Sequence, residues 1–283
     1  MSSAEPILYL VGTPIGNLED ISLRAIRILA ETDLIACEDT RKTRVLLKRH
    51  AISSARLVSY HKFNEAKRTV ELVQHFRKGE SIALVCNAGT PGISDPGARL
   101  VQAAVKNGVR VEVVPGPSAI TAALSISCLA RDEFVFSGFI PPRSTTRRKK
   151  FITLKNEPRT LVFFETAIRL GKSLADMLAV FGDRKLEIAR ELTKIHEEVI
   201  RTSLSPALAD LQKKPLKGEI VLIVEGAKET AASHVTDLRQ EVKSLQEQLS
   251  ISRSEAVKLV ASARGLRKQD VYRELAREEN AEG

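Results

Sequence analysis

Short apolar runs alternate with amphipathic segments through the first half of the chain. The first run ends at Gly12 and the second at Glu38, which is the pattern of strands that meet turns. The pattern predicts five strands in this half: Ile7–Val11, Leu34–Cys37, Leu57–Tyr60, Ile82–Cys86 and Val109–Val114.

Helices are predicted between these strands. Ser22 is the expected N-cap of the first helix, and Thr40 is expected to cap a basic helix that runs through His50. Further helices are expected at Glu65–Lys78 and in the segment that ends at Asn107. Strands interleaved with helices predict an α/β fold with a mostly parallel sheet covered on both faces.

The second half changes character after Pro115-Gly116-Pro117, where Ser118 starts a predicted helix over Ala119–Ser127. Several predicted strands now follow one another without a helix between them, which favours an α+β domain with antiparallel pairing. The strands are expected at Glu133–Gly138, Thr160–Glu165, Leu186–Glu191, Glu197–Thr202 and Glu219–Val224.

These changes divide the chain into residues 1–116, residues 117–227, a polar linker at Lys228–Ser233 and a tail of residues 235–283. The last two of three predicted tail helices resemble a helix-turn-helix. The tail carries equal numbers of basic and acidic residues, so a role in DNA binding, a docking or RNA-guiding module and a plain helical cap all stay open. The tail helices are predicted at Asp237–Leu249, Ser252–Ala263 and Lys268–Arg277.

The charge is unevenly placed along the 283 residues, with 44 Lys and Arg against 35 Asp and Glu. Two acid-free clusters, Arg41–Arg49 and Arg143–Lys150, each hold five basic residues and account for essentially the whole excess of +9. A single charge run is as often a solvated face as a binding site. Two such clusters beside candidate active-site loops favour contact with phosphate groups.

Several classes of protein are disfavoured by the composition. Apolar runs are too short to cross a bilayer, which takes about 20 helical residues, and Met1–Pro6 lacks the regions of a signal peptide. Cys37, Cys86 and Cys128 are odd in number and form no CxxC, so we expect small buried hydrophobes rather than disulfides or a zinc site. The sequence predicts a soluble cytoplasmic protein with no identifiable metal-binding residues, and it leaves open whether a metal assists the reaction.

Two loops rich in glycine and proline follow predicted strands, Gly12–Asn17 and Asn87–Gly97. In open α/β sheets ligands bind beyond the carboxyl ends of the strands, and glycine lets the backbone approach them closely. The sequence contains no GxGxxG or GxxxxGK[ST], which removes the main support for nicotinamide and P-loop nucleotide binding. It contains no HExxH or GxSxG, so metal-dependent hydrolysis and Ser-His-Asp acyl transfer are unsupported as well.

Carboxylates lie near the ends of predicted strands in both halves. Each can act as a base or ligand anchor, and each can equally cap a helix or pair with an arginine. The residues alone therefore indicate a two-domain α/β enzyme with a loop-lined site for a small ligand and basic flanks, and they leave the reaction open. These carboxylates are Glu38, Asp39, Asp95, Glu165 and Glu191.

Seven motifs follow one another along the chain: LYLVGTPIGNL from Leu8, CEDTR from Cys37, AGTPGISDPG from Ala88, PGPSA from Pro115, GFIP from Gly138, ELTK from Glu191 and KGEIVLIVEG from Lys217. In this order they resemble the tetrapyrrole methylase superfamily. Within it, the resemblance is to the family of small-subunit ribosomal RNA 2′-O-ribose methyltransferases, and it covers about residues 6–227. The tail also resembles the C-terminal extension of that family.

The resemblance implies S-adenosylmethionine as cofactor, held largely by backbone and apolar contacts. It also implies a homodimer whose substrate is a decoding-centre cytidine of 16S ribosomal RNA in the small ribosomal subunit. The cofactor-binding residues it implies are Ile15, Gly89, Thr90, Ile93, Ser118, Ala119, Phe164 and Leu192.

Three positions depart from the family pattern. Cys86-Asn87 stands where the family carries Ser-Asp, so a carboxylate has become a neutral amide. Ser137 stands where an acid is common, and Glu165-Thr166-Ala167-Ile168-Arg169 replaces Glu-Ser-Pro-His-Arg, with Ile168 in place of the histidine. These departures argue against catalytic roles at the three positions, or indicate altered activity.

The leading hypothesis is methyl transfer to a ribose 2′-hydroxyl of ribosomal RNA, with Glu38 or Asp39 as base. The rivals are a small-molecule tetrapyrrole methylase, disfavoured by the two basic clusters, and a nucleic-acid-binding regulator that uses the tail. The residues expected to hold RNA phosphates are Arg41, Lys42, Arg44, Arg143, Arg147 and Arg148.

Overall fold

The computed structural model describes residues 5–53, 55–130, 132–228, 238–249 and 251–281. They form two compact units. The first unit contains the residues up to Ala122 together with Glu191–Glu197, and the second contains Ala123–Arg190 together with the residues from Glu198 onward. The three-part division of the sequence into residues 1–116, 117–227 and 235–283 stays a prediction.

The first unit holds a five-stranded sheet in the spatial order β3-β2-β4-β1-β5, and all four neighbouring pairs are parallel. Cys37 lies opposite Val85 at the carboxyl edge of the two central strands β2 and β4. The parallel α/β fold predicted for this half is confirmed. The strands are β1 (Ile7–Val11), β2 (Leu34–Cys37), β3 (Leu57–Ser59), β4 (Ile82–Val85) and β5 (Arg110–Val114).

Four helices cover the two faces of this sheet. Side chains along each strand alternate between the faces, so both faces are apolar and each is covered by helices. Val11 packs with Ile28 and Leu47 on one face, and Leu8 packs with Leu72 and Leu100 on the other. A short 3-10 turn at Leu18–Asp20 precedes the first helix. The helices are α1 (Leu23–Glu31), α2 (Thr40–Arg49), α3 (Glu65–Arg77) and α4 (Ala98–Lys106).

One of the two predicted helix caps is confirmed and one is wrong. The Ser22 hydroxyl accepts a hydrogen bond from the Ala25 backbone N–H at 3.1 Å, as expected. The cap of α2 is Asp39 rather than Thr40, since Asp39 has extended backbone angles and its Oδ1 accepts from the Arg41 N–H at 2.9 Å. Thr40 is already the first helical residue.

The second unit contains a mixed sheet in the order β6-β7-β10-β8-β9. Only the β6–β7 pair among these four is parallel, so the predicted antiparallel pairing is confirmed. Helix α5 (Ala119–Ser125) precedes this sheet and is shorter than predicted. The strands are β6 (Phe134–Phe139), β7 (Thr160–Thr166), β8 (Lys185–Arg190), β9 (Glu198–Ser203) and β10 (Glu219–Val224).

Three helices of the second unit are absent from the sequence predictions: α6 (Ser144–Leu154), α7 (Ala167–Phe181) and α8 (Leu204–Lys213). Helix α7 begins directly after β7, with no residue between them. The spacing of apolar residues therefore changes from the two-residue period of a strand to the 3.6-residue period of a helix without a break that would mark the start of the helix. The second half therefore contains more helix between strands than the sequence indicated.

The tail forms three helices, α9 (Leu238–Leu249), α10 (Arg253–Ala263) and α11 (Lys268–Ala281), close to the predicted bounds. Ile152 of α6 is buried in the same apolar cluster as Val257 and Val260 of α10, and Lys149 pairs with Glu255. The tail helices thus pack within the second unit. The predicted linker beyond Lys228, and the predicted helix start at Asp237, lie outside the described residues.

The cysteines differ in exposure. Cys37 and Cys86 are buried as predicted, whereas Cys128 is exposed, in a turn where its N–H donates to Glu187 at 2.9 Å. The expectation for Cys128 is therefore wrong. None of the described helices combines the length and apolar character that a bilayer crossing requires.

Candidate active site

Distant loops of the first unit meet beyond the carboxyl ends of its strands. Thr13 and Gly89 form an isolated antiparallel bridge, with N–H to O distances of 2.9 and 3.0 Å. Gly12 packs against Gly116 so closely that a Cβ at Gly12 would lie 2.8 Å from the Gly116 Cα. Glycine at both positions is therefore what allows the loops after β1 and β5 to touch.

The segment Glu191–Glu197 packs against the first of these loops. A Cβ at Gly16 would lie 2.8 Å from the Leu192 carbonyl oxygen, and the Thr193 hydroxyl accepts a hydrogen bond from the Asn17 N–H at 3.0 Å. Glu191 and Thr193 have positive φ angles of 50° and 64°, which are strained for residues other than glycine. Such strain persists where the surrounding structure holds the backbone, and the two strained residues flank Leu192 beside the first loop.

An open cleft of about 660 Å³ lies between that segment and the first loop. Arg49 lies 3.9 Å from Glu19, and Lys194 pairs with Glu191 at 3.0 Å, so the charges at the cleft are nearly balanced. The volume is in the range of small-molecule sites. Among the polar side chains of the cleft, the sequence pointed only to Glu191, as one of several carboxylates that can anchor a ligand. The lining residues are Gly16, Asn17, Leu18, Glu19, Arg49, Glu191, Thr193, Lys194, Ile195 and His196.

The structure brings together part of the predicted cofactor set. Gly89 has a φ of +83°, and a Cβ there would lie 3.6 Å from Ile15 and 3.7 Å from the Pro117 oxygen, one residue before Ser118. Ile15 and Leu192 are buried. Ala119 begins α5, while Thr90 and Ile93 lie further along the Gly89 loop, where Ile93 is about half exposed.

Phe164 lies in the second unit, on β7. Its ring contacts Phe136 at 4.9 Å and Phe139 at 5.3 Å between centroids. Two of the departures from the family pattern lie in this unit as well. The Ser137 carbonyl accepts from Lys150, and Ile168 is 96% exposed on α7.

Asn87, the third departure, holds a buried amide oxygen without a hydrogen-bond partner among the described residues. A buried acceptor without a partner costs free energy. A ligand that carries an ammonium or amino group satisfies such an atom. The buried apolar side chains of Ile15 and Leu192, the close approach allowed at Gly89 and this acceptor are groups of the kind that fit S-adenosylmethionine, and they lie outside the lining of the open cleft.

Asp39 is occupied by structural hydrogen bonds. Its carboxylate accepts from the Arg41 N–H, Nε and Nη2 at 2.9, 3.1 and 2.9 Å. The hydrogen bonds from Arg41 lower the pKa of Asp39 to about 2. A carboxylate held in this way is a poor proton acceptor at neutral pH, and the expectation that Asp39 is a base is corrected to a capping role.

Asp95 differs from Asp39, because its surroundings raise the pKa of the carboxyl group rather than lower it. Burial first, and then the negative charge of Glu38, raise its pKa to about 6, against a hydrogen bond with Cys86 that lowers it. Glu38 and Cys86 are close because they directly follow the paired residues Cys37 and Val85. Burial and then the charge of Asp95 raise the pKa of the Cys86 thiol to about 12, so it stays protonated. The sequence named Asp95 only as one of several polar groups.

The side chains of the two basic clusters differ in exposure. Arg41, Lys42 and Arg44 are exposed on α2. In the second cluster, Arg143 is exposed at the start of α6 and Arg148 is half-buried. Arg147 is only 3% exposed, so the three arginines of this cluster lie in three different environments.

The guanidinium of Arg147 is fully engaged inside the second unit. Its Nε donates to Asp176 at 2.8 Å, and its other nitrogens donate to the carbonyl oxygens of Pro141, Pro142 and Lys172 at 3.2 to 3.3 Å. The expectation that Arg147 binds RNA phosphate is therefore corrected, because the side chain supports α6 from within.

Comparison with known proteins places this sequence in a family. The sequence profile of the Tetrapyrrole (Corrin/Porphyrin) Methylases matches residues 7–208. Ribosomal RNA small subunit methyltransferase I of Mesorhizobium japonicum is 46% identical over 276 residues, which are 96% of this chain and 92% of that protein. The protein of the same name from Escherichia coli O157:H7 is 42% identical over 269 residues, or 94% and 93% of the two chains.

The chain belongs to the ribosomal RNA small subunit methyltransferase I family. The resemblance stated from the motifs is thereby confirmed. A solved structure of uroporphyrin-III C-methyltransferase from Thermus thermophilus, complexed with S-adenosylhomocysteine, matches this family member with a TM-score of 0.56 at 21% identity. It covers 77% of this chain and 96% of the other, which supports the predicted two-domain tetrapyrrole methylase fold.

Proposed function

We propose that this chain transfers a methyl group from S-adenosylmethionine to the 2′-hydroxyl of a cytidine ribose in 16S ribosomal RNA, in the decoding-centre region. Family membership at 46% identity supports the substrate. The single observation that carries the chemistry is Asp95, half-buried beside Glu38 on the loop that Thr13 and Gly89 fix.

In this mechanism Asp95 is the general base. S-adenosylmethionine supplies an electrophilic methyl group. The ribose oxygen would form its new bond to the methyl carbon as the bond from that carbon to sulfur breaks, which would leave S-adenosylhomocysteine, and the hydroxyl proton would pass to the carboxylate of Asp95. With a pKa of about 6 the carboxylate is ionised at neutral pH and is more basic than an ordinary aspartate, which suits proton acceptance.

Other residues position the reactants. Ile15, Gly89, Leu192 and the oxygen of Asn87 would hold the cofactor, because they provide apolar surface, close backbone approach and a buried acceptor. Alignment of the hydroxyl with the methyl group lowers the barrier further, by up to about 7–11 kcal/mol in favourable cases. The exposed cations Arg41, Lys42, Arg44 and Arg143 are suited to RNA phosphates.

We further propose that the enzyme is a cytoplasmic homodimer, in keeping with a substrate that is part of the small ribosomal subunit. The small-molecule rival, a tetrapyrrole methylase, has less support, because similarity to the solved uroporphyrin enzyme is only 21%. The regulator hypothesis loses its separate motivation, since the helices of the tail pack on α6 within the second unit.

The test is methylation of small ribosomal subunits purified from cells that lack this modification. The wild-type protein and S-adenosylmethionine are expected to yield one 2′-O-methylated cytidine, read out as resistance of that linkage to alkaline hydrolysis. Asp95→Asn is expected to bind the cofactor normally and to lose about 10²- to 10⁴-fold in kcat. Absence of any ribose methylation by folded, cofactor-binding wild-type protein contradicts the proposal.

A further inference from the structure

An aromatic ring stands exposed at the same sheet edge as the candidate active site. Phe63 follows β3 and is 93% exposed. The Tyr60 N–H donates to the Cys37 carbonyl at 2.7 Å, so the turn that carries Phe63 leaves the sheet beside Glu38. β3 is two strand spacings, about 10 Å, from β4, whose loop carries Asp95. Phe63 and Asp95 therefore lie in loops at the same carboxyl edge of the sheet, after strands that are separated by β2.

The turn that presents the ring is internally fixed. The Asn64 carboxamide accepts from the His61 N–H at 2.8 Å and donates to the Ser59 carbonyl at 3.2 Å. The Phe63 N–H donates to His61 Nδ1 at 3.2 Å, and the two rings meet edge to face at 6.1 Å. The backbone of the turn is thereby fixed, so little backbone ordering is required when the exposed ring binds a partner.

Exposed lysines lie on the elements next to this turn. Lys62 directly precedes Phe63, and Lys67 follows it in α3, with Glu65 between them. Lys42 is exposed at the start of α2, which follows the neighbouring strand β2, and Arg41 beside it is exposed but pairs with Asp39. An exposed aromatic residue by itself is ordinary on a protein surface. An aromatic ring interleaved with lysine and arginine is the arrangement that binds single-stranded nucleic acid, where bases stack on rings and cations hold the backbone.

We propose that Phe63 is a stacking platform for an unpaired base next to the target cytidine, with Lys62 holding a phosphate of the same RNA segment. This inference rests on the proposed function, because it takes its ligand from the RNA substrate. It adds a contact outside the cofactor site. The base on Phe63 anchors the strand while the neighbouring ribose reaches Asp95.

Phe63→Trp tests the stacking directly, because the chain contains no tryptophan. Full-length Phe63→Trp is titrated with unmethylated small ribosomal subunits, and its fluorescence is expected to be quenched with saturation. Val105→Trp is the matched control, since Val105 is also exposed in the first unit but lies at the end of α4, away from the carboxyl edge of the sheet. Its fluorescence is expected to stay unchanged.

Substitutions that remove the ring complete the test. Phe63→Ala and Phe63→Leu are both expected to weaken subunit binding by about 5- to 100-fold, the range of base–aromatic stacking. Phe63→Tyr is expected to retain wild-type binding, and cofactor affinity and the melting temperature are expected to be unchanged in all three. Lys62→Ala is expected to reduce the salt dependence of binding, which Phe63→Ala leaves intact.

The outcomes separate the two proposals. If wild-type protein methylates the subunits but Phe63→Ala binds and methylates them equally well, the platform is wrong and the proposed function stands. If Phe63→Leu binds as well as wild type, the contact is merely apolar and stacking is again wrong. If wild-type protein neither binds nor methylates the subunits, the proposed function itself fails.

Discussion

The backbones of Thr13 and Gly89 exchange two hydrogen bonds, although the residues lie in separate loops after β1 and β4. The Thr13 hydroxyl adds bonds to the carbonyl oxygens of Cys86 and Gly89 at 3.2 and 3.3 Å. This bridge ties the loop that carries Asp95 to the loop that carries Ile15. The proposed base and cofactor contacts are therefore held by one backbone connection.

Gly89→Ala is expected to weaken cofactor binding at least tenfold, measured by calorimetric titration with S-adenosylmethionine. Its φ of +83° disfavours alanine by about 1–2 kcal/mol of unfolding free energy. Gly92→Ala is the control, because Gly92 has a φ of +84° and a Cβ there meets no described atom within 4 Å. Both variants should lose similar stability. Equal cofactor affinity in the two would contradict a role for Gly89 in close approach.

The pH dependence of stability should contain a component from Asp95. Its folded-state pKa of about 6 lies above the ordinary value of 3.8, so the folded protein holds an extra proton between these values. Stability from this group is present below pH 4 and is lost as the pH rises through 6. Because the carboxyl is only half-buried, we expect a change of about 1 kcal/mol. Denaturant unfolding at pH 4 and pH 7 should show the change in wild type and not in Asp95→Asn.

The pH–rate profile separates Asp95 from Glu38 as base. The methylation rate is expected to rise with pH and level off above about 6, as the Asp95 carboxylate forms. Glu38→Gln removes the negative charge that raises the pKa of Asp95, so the midpoint should move to lower pH with activity retained. A Glu38→Gln enzyme that is inactive at every pH, with intact cofactor binding, assigns the base role to Glu38 instead.

The sequence predicted most of the first unit and much less of the second. The apolar strands end at Gly12, Glu38 and Asn87, and these ends identified the carboxyl edge of the sheet. This was possible because the spacing of apolar residues and the identity of turn residues can be read from a short stretch of sequence. The environment of Asp95 was not predictable, because its burial depends on how its loop folds back and its proximity to Glu38 depends also on the register of β2 against β4. That register is a property of the folded sheet.

Charge patterns were the least informative signal. Arg143 and Arg147 look alike in a run of basic residues, yet one is exposed and the other is buried against Asp176. The four-residue spacing places them about one turn apart at the start of α6, but the residue pattern of this segment does not predict that helix. Without the helix, the buried position could not be distinguished from the exposed one.

Asn87→Ala is expected to affect folding and cofactor binding in opposite ways. It removes a buried acceptor that has no partner among the described residues, so the unfolding free energy should stay constant or rise by about 1 kcal/mol. Cofactor affinity should fall about tenfold, the loss of one hydrogen bond to a charged group.

Asn64→Ala is the matched comparison for Asn87→Ala, because the Asn64 amide is bonded through both its oxygen and its nitrogen. It should lose about 1–3 kcal/mol of stability and keep wild-type cofactor affinity. If Asn87→Ala behaves like Asn64→Ala in both measurements, Asn87 is structural and does not contact the cofactor.

Arg143→Ala and Arg147→Ala are expected to affect different properties, RNA binding in the first and the unfolding free energy in the second. Arg147→Ala leaves Asp176 partly buried without its cation, so it should lose about 3–5 kcal/mol of unfolding free energy in denaturant titration. Arg143→Ala should keep wild-type stability and weaken RNA binding, with the slope of log affinity against log salt reduced by about 0.7 for each phosphate that the protein no longer neutralises. A folded Arg147→Ala protein with the same reduction in slope would return Arg147 to the RNA-binding surface, and an unchanged slope in Arg143→Ala would remove Arg143 from it.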